Sequence, residues 1–325
     1  MAITYSMDSL KDKLAEILDV IPRHSSVVYL DYPLYGNVGD LLIMKGTEAF
    51  FEAYGIKVRE RWNAENFIPG RRIPKEAIIV CQGGGNFGDL YPHFQQFRER
   101  VVEHYPDNRI VILPQSIYYE HEENVKKTRD ILAAHPDLHL FTREKASFEF
   151  AVKHFEGVKN IRMMPDMAHQ LWPIAAPAEK PSESVLRLIR TDKEANSSLQ
   201  KAGEPDTYDW NVILSEGDKR GIKRLQTINV LNKKAGNPLP IASYWKRYSD
   251  SLVDKSIRFF SRYESVVTSR LHGHILSCLL GKENVVIDNS YGKNANYYNT
   301  WMKDISNTKL IQHNPAEAEK PPVHV

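Results

Sequence analysis

The chain has 325 residues, 42% of them hydrophobic and 26% charged, which is the make-up of a folded globular protein and a length suited to two domains. Lys and Arg number 43 against 41 Asp and Glu, a net charge of +2, so no global field draws it to nucleic acid and any affinity for anions has to be local. No apolar run reaches the ~18 residues of a membrane-spanning helix, and no basic segment followed by an apolar one suggests a signal peptide.

Two cysteines, Cys81 and Cys278, each sit in an apolar run. They make neither a disulfide framework nor a zinc site, which suits a reducing, cytoplasmic location. Residues 8–21 place Leu10, Leu14, Ile17, Leu18 and Ile21 at helical spacing. A strand is predicted at 27–30. After Tyr35-Gly36-Asn37-Val38-Gly39-Asp40 comes a helix over 41–54, with Asp40 as its N-cap. The pattern recurs as a strand at 77–81, a glycine-rich loop at 82–89 and a helix at 93–104. A strand at 109–113 then ends in Pro114-Gln115-Ser116, and a charged helix spans 122–134. Next come a strand at 138–142 ending at Arg143, a helix at 145–155, and a strand at 161–164 ending at Pro165-Asp166. Strands alternating with helices predict an α/β fold on a parallel sheet.

Pro173, Pro177 and Pro181 forbid a helix or central strand. Residues 173–184 are therefore the expected linker between a first domain, 1–172, and a second, 185–325. The second opens with a strand at 185–189. Residues 192–240 are polar, basic and without clear periodicity. A long helix is predicted between 244 and 263, then a strand at 266–268, a helix at 274–280 and a strand at 285–287. The tail beyond Pro315 has no pattern that predicts order.

Ligands of open α/β sheets bind beyond the carboxyl ends of the strands. The first half presents Asn37, Asp40, Gly83-Gly84-Gly85-Asn86, Asp89, Gln115, Ser116, Arg143 and Asp166 there. The second presents Arg190, Asp192, Arg270, His272, Asp288, Ser290 and Lys293. Gly83, Gly85 and Gly88 match G-x-G-x-x-G after a strand, but the next strand ends Ile112-Leu113-Pro114-Gln115 without the acidic residue a ribose needs. A dinucleotide is therefore disfavoured, and the small residues read as room for another ligand. No P-loop, G-x-S-x-G or H-E-x-x-H is present.

Arg270 and His272 fall between a buried strand and an apolar helix, where unpaired N–H groups and the helix dipole favour an anion. An imidazole there can bond an oxygen and pass a proton near neutral pH, or simply cap the helix. Arg270 suits a tie to a neighbouring carboxylate. Arg143 has a fork that matches carboxylate or phosphate, or an ion pair with Glu144 or Asp166. Lys293, in the loop Asn289-Ser290-Tyr291-Gly292-Lys293-Asn294, reads as an anion contact or a solvated lysine.

Taken in order, several segments resemble the polysaccharide pyruvyl transferase family over about residues 27–301. They are Gly36-Asn37-Val38-Gly39-Asp40, Gly83-Gly84-Gly85-Asn86, Phe141-Thr142-Arg143-Glu144, Leu188-Ile189-Arg190-Thr191-Asp192-Lys193-Glu194, Ser269-Arg270-Leu271-His272 and the loop 288–294. The resemblance implies two Rossmann-like lobes in a GT-B-like arrangement, with the active site in the cleft. It implies phosphoenolpyruvate as donor and a sugar diol as acceptor, on an exopolysaccharide, a cell-wall glycan or a lipid-linked precursor. The implied product is a cyclic pyruvate ketal, with phosphate released and no cofactor or metal. At matching positions it implies donor contacts from Arg143, His272 and Lys293, with Arg270 and Ser290 beside them. It implies an acceptor side of Asn37, Asp40, Asn86 and Gln115. His272 is the expected acid or phosphate stabiliser, and Asp40 the expected base.

No nucleic-acid partner is expected. The basic residues Lys219, Arg220, Lys223 and Arg224, near Trp210 and Leu225, suit a peripheral contact with an anionic membrane or a solvated surface. Rival readings are a nucleotide-sugar glycosyltransferase on the same two-lobed fold, a non-catalytic sugar- or anion-binding relative, and a disfavoured NAD-linked oxidoreductase.

Overall fold

The computed structural model describes residues 4–175, 181, 183–191, 207–290 and 292–311. Pro177, Tyr291, Asp192 to Glu194 and the tail beyond Pro315 lie outside them.

Helix α1 (Met7–Leu14) starts at a Ser6–Ser9 capping box and passes into a 3-10 turn (Ala15–Asp19), where one continuous helix was expected. Strand β1 (Ser26–Leu30), helix α2 (Val38–Ala53), strands β2 (Lys57–Trp62), β3 (Ile78–Cys81) and β4 (Gly84–Gly88), and helix α3 (Pro92–His104) follow. Then come β5 (Ile110–Tyr118), α4 (Glu122–Ala134), β6 (Leu138–Thr142), α5 (Lys145–His154) and β7 (Asn160–Met163). The sheet order is β2-β1-β3-β5-β6-β7, with β4 on β5, and every pairing is parallel. A parallel strand is covered on both faces, so it reads as an unbroken apolar run. Val27 to Leu30 and Ile78 to Cys81 do so and are buried throughout.

The sequence reading missed β2, a half-exposed edge strand whose charged residues give no apolar signal. Residues 82–89, expected as a loop, contain β4, which pairs with the far half of β5, Gly84 opposite Gln115 and Gly88 opposite Tyr118. Gly88 has φ +112°, and a Cβ there would lie 1.8 Å from the Tyr118 carbonyl oxygen, an approach that only glycine permits. Pro114 does not end β5. The register with β6 shifts between Ile112 and Gln115, and this irregularity accommodates a residue without an N–H.

The second sheet begins with β8 (Glu183–Leu188), two residues inside the expected linker, and β9 (Thr207–Tyr208). Helices α6 (Trp210–Ile213), α7 (Glu216–Lys234) and α8 (Ile241–Ser261) lead to β10 (Tyr263–Thr268), α9 (Leu271–Leu279), β11 (Glu283–Ile287), α10 (Lys293–Tyr297) and β12 (Thr308–Ile311). Its order is β12-β11-β10-β8-β9, again parallel. Helix α7 opens on a Ser215–Asp218 capping box but buries only Ile222, Asn229 and Asn232. One apolar residue among three explains why its periodicity was illegible.

The two sheets share an apolar core. One cluster runs from Leu10, Tyr29 and Ile43 through Met167 to Leu188, Trp245 and Ile275, while a second fills the other face of the first sheet. Helix α2 packs against both α8 and α9, so its N-terminus is fixed relative to both sheets. Gly46 lets α2 also close on the 3-10 turn Met167–Leu171, since a Cβ there would meet the Met167 carbonyl oxygen at 2.1 Å.

Candidate active site

A cavity of about 270 Å³ opens where the carboxyl ends of the two sheets face each other. Its walls carry Arg143, Arg190, Arg270, His272 and Lys293, with Asp40 as the carboxylate among them. Tyr35, Asn37, Asn86, Phe94 and Trp210 complete much of the lining. The cavity therefore favours a small, multiply charged anion.

Arg143 follows β6 and is 1% exposed. Its Nε donates to Ser116 Oγ at 2.8 Å and its Nη1 to Asp166 Oδ2 at 2.9 Å. Glu144 lies 3.7 Å from Nε and accepts from Ser116 Oγ at 2.7 Å. These bonds fix two of the three guanidinium nitrogens and leave Nη2 to face the cavity over Gly85. The ion pair and the ligand contact, alternatives in the sequence, are compatible here.

Lys293 is the first residue of α10, not a loop residue as expected. Asn289 Oδ1 accepts its backbone N–H at 2.7 Å, and Asp288 Oδ1 accepts from Ala295 N at 3.0 Å. Asn294 Nδ2 donates to Ser269 O at 2.8 Å, tying α10 to the turn before α9. The ammonium of Lys293 reaches across to β4 of the first sheet. A Cβ on Gly85 would lie 2.6 Å from Lys293 Nζ and 2.7 Å from Arg143 Nη2. Two cations from different sheets thus converge on one point, and the glycine makes that possible. Like charges held together in this way are poised for a shared anion.

Arg270 is the N-cap residue of α9, and His272 lies in the first turn of that helix, not ahead of it as predicted. Asp209 holds Arg270 bidentately, Nε to Oδ1 at 2.8 Å and Nη2 to Oδ2 at 2.6 Å, which is the expected tie to a carboxylate. His272 Nε2 meets Asp166 Oδ2 at 3.3 Å. Asp166 also accepts from Ala168 N at 2.9 Å, and its backbone N–H donates to Tyr297 Oη at 3.0 Å. One carboxylate oxygen therefore joins Arg143 to His272. With Nε2 so engaged, Nδ1 is the nitrogen left for a ligand. It stands beside α2, where a Cβ on Gly39 would come within 2.8 Å of it.

Burial alone would raise the pKa of Asp166. The His272 and Arg143 charges outweigh it and hold the carboxyl well below the usual range. The sequence placed Asp166 at a strand end but gave it no part beyond a partner for Arg143. Its role in orienting His272 depends on contact between residues 106 positions apart.

Asp40 behaves in the opposite way. Burial raises its pKa, against the charges of His272, Lys293 and Arg143 and a hydrogen bond with Tyr35. It sits in the first turn of α2 and is not the N-cap. Asn37 is, with its Oδ1 accepting from Gly39 N at 3.0 Å. Asn86 is held by Arg98, whose Nη1 donates to its Oδ1 at 2.9 Å and also to Asp31 at 2.8 Å. Both amides thus have their oxygens engaged, and each has its NH₂ left to offer a ligand.

Gln115 and Ser290 are placed otherwise than expected. Gln115 is wholly buried, donating to Gln82 O at 2.7 Å, and lies outside the cavity lining. It supports β3 and β5 from within the sheet. Ser290 is exposed and also outside the lining. Arg190, Tyr35 and Trp210 join the lining. Arg190 was visible at a strand end, whereas the aromatics carried no signal.

Lys219, Arg220, Lys223 and Arg224 are exposed on α7, with Lys219 paired to Glu216. Among the described residues no helix is long and apolar enough to cross a membrane, and no three His, Cys, Asp or Glu side chains group as metal ligands.

Two parallel sheets with a cavity lined by arginines, a lysine and a histidine beyond their strands define an α/β protein of Rossmann-like design. The sequence profile of the polysaccharide pyruvyl transferases matches residues 37–291. The EpsO protein of Bacillus subtilis (strain 168), provisionally named a pyruvyl transferase, is 60% identical over 321 residues, 99% of each chain. Pyruvyl transferase 1 of Schizosaccharomyces pombe is 30% identical, over 85% of this chain and 69% of its own. A solved structure of an uncharacterised Klebsiella pneumoniae protein has the same fold, with a TM-score of 0.59 at 23% identity over 93% of this chain and 98% of that one. The chain belongs to the polysaccharide pyruvyl transferase family, and is a transferase of that class.

Proposed function

We propose that the chain transfers the pyruvyl unit of phosphoenolpyruvate to two hydroxyls of one sugar, forming a cyclic ketal and releasing phosphate. The two sheets act as GT-B-like lobes with the reaction between them. The observation that carries this reading is the meeting of Arg143 Nη2 and Lys293 Nζ over Gly85, beside His272 and across from Asp40. Phosphoenolpyruvate bears both a carboxylate and a phosphate, and the wall offers a cation for each. The acceptor is a sugar of an exopolysaccharide or a cell-wall glycan, free or lipid-linked.

A proton adds to the methylene carbon of the donor, taking the double-bond electron pair and leaving carbon 2 electrophilic. A sugar hydroxyl adds to carbon 2 and loses its proton. The carbon–oxygen bond to phosphate breaks, phosphate leaves with the pair, and a second hydroxyl of the same sugar closes the ring. Its proton leaves with phosphate. His272, through Nδ1, supplies the first proton or steadies the departing phosphate. Arg143 and Lys293 meet the charge that grows on the leaving group, most strongly where water is excluded. Asn37 and Asn86 donate to the acceptor oxygens, and Asp40 accepts the hydroxyl proton. The direct test is phosphate release from phosphoenolpyruvate with a panel of glycosides; release only from nucleotide-sugar donors would defeat the reading.

Asp40 gives a pH prediction. A base must be ionised to act, and burial raises the pKa of this one. The acid limb of kcat/KM should therefore lie above the ~4 of an ordinary carboxylate. Activity falls as pH drops through the raised pKa of Asp40. Asp40→Asn should remove the limb along with most of the activity. An unchanged acid limb in the variant would exclude Asp40 as the base.

A further inference from the structure

We infer that the protein recognises its acceptor over more than one sugar, and that the sugar next to the reacting one occupies a second chamber, without Arg or Lys in its lining, beside the first. This inference rests on the transfer reaction proposed above. The second chamber measures about 280 Å³ and shares Tyr35 and Phe94 with the cationic one, so the two adjoin. Beyond that shared wall lie Tyr32, Ala64, Asn63 and Glu65 from the first sheet's side, and Gln226, Asn229 and Val230 from α7.

The two chambers differ in chemistry. Three arginines and a lysine line the first, with His272; no Arg, Lys or His lines the second, whose charged lining residue is Glu65. An anion has no reason to enter it. Aromatic rings and carboxamides suit an uncharged body with apolar ring faces and many hydroxyls, which describes a sugar. The amides are pre-set. Asn66 Nδ2 donates to Asn229 Oδ1 at 2.9 Å, Asn63 Nδ2 donates to Tyr32 Oη at 3.1 Å, and Gln226 Nε2 donates to Leu34 O at 2.8 Å. Gln226 keeps its oxygen as an acceptor for a hydroxyl. A sugar reacting at Asp40 would extend past Tyr35 and Phe94 into this space. Selectivity for the glycan would then come partly from residues that never touch the donor.

Val230 is 46% exposed on α7 and lies outside the first chamber's lining, so a larger side chain there fills the second chamber without displacing core. The test compares p-nitrophenyl glycosides of glucose, galactose and N-acetylglucosamine with matching disaccharides, for wild type and Val230→Trp. Saturation-transfer NMR reads binding, and phosphate release reads turnover. Wild type should prefer disaccharide to monosaccharide, and the variant should lose that preference by about tenfold, the size of one or two lost contacts. No preference in the wild type, or an equal preference in the variant, overturns the inference. A disaccharide preference in binding that Val230→Trp abolishes, without phosphate release from phosphoenolpyruvate by any sample, would defeat the transfer reaction and leave the sugar site standing.

Discussion

His272→Ala should lower acceptor-dependent phosphate release by about 10²- to 10⁴-fold, the range for loss of a positioned acid or base, while the fold survives. Stability should hold because Asp166, the partner His272 leaves behind, keeps Arg143 at 2.9 Å and the Ala168 N–H at 2.9 Å. The buried carboxylate is not stranded, so the large penalty for an unpaired buried charge does not apply. If His272 acts mainly in the transition state, kcat and kcat/KM fall together. Far-ultraviolet circular dichroism and the melting temperature check the fold, and a phosphate assay checks turnover. Turnover within a few-fold of wild type would remove His272 from the chemistry.

Gly85→Ala is the sharper steric probe. The added methyl would meet Lys293 Nζ at 2.6 Å and Arg143 Nη2 at 2.7 Å. Both are tips of long side chains, so they can withdraw at small cost to folding. In withdrawing they would leave the positions from which the proposed reaction has them meet the donor. A charge-assisted hydrogen bond contributes about 1.5–3 kcal/mol, so weakening one or both should raise the donor KM by roughly 10- to 100-fold or more. The melting temperature should stay near that of wild type. A donor KM unchanged by the methyl would mean that the two cations do not hold phosphoenolpyruvate. The same substitution separates a donor cradle from a plain tight turn, which would show its cost in stability instead.

The alternation of strands and helices was legible because buried parallel strands leave apolar runs. Ala77 to Cys81 and Leu138 to Thr142 announce themselves in this way. Strand β2 and helix α7 did not: the first is an edge strand half in water, and the second buries asparagines where a helix ordinarily buries leucines. Strand ends gave most of the candidate side chains, since Asn37, Asp40, Asn86, Arg143, Arg270, His272 and Lys293 all reach the cavity lining. What the chain order could not convey was which of them touch. Asp166 and His272 meet across the two sheets, as do Lys293 and Gly85. Gln115 illustrates the converse. It stands at the right place along its strand but turns into the sheet to bond Gln82, because β5 continues past it.

The central claim is that the cationic chamber is a phosphoenolpyruvate site. Calorimetric titration of the wild-type protein with phosphoenolpyruvate, beside nucleoside diphosphate sugars, tests it most directly. The account predicts saturable binding of phosphoenolpyruvate that weakens in Gly85→Ala, and no comparable binding of the nucleotides. Nucleotide-sugar binding that Gly85→Ala weakens, with phosphoenolpyruvate inert, would contradict it.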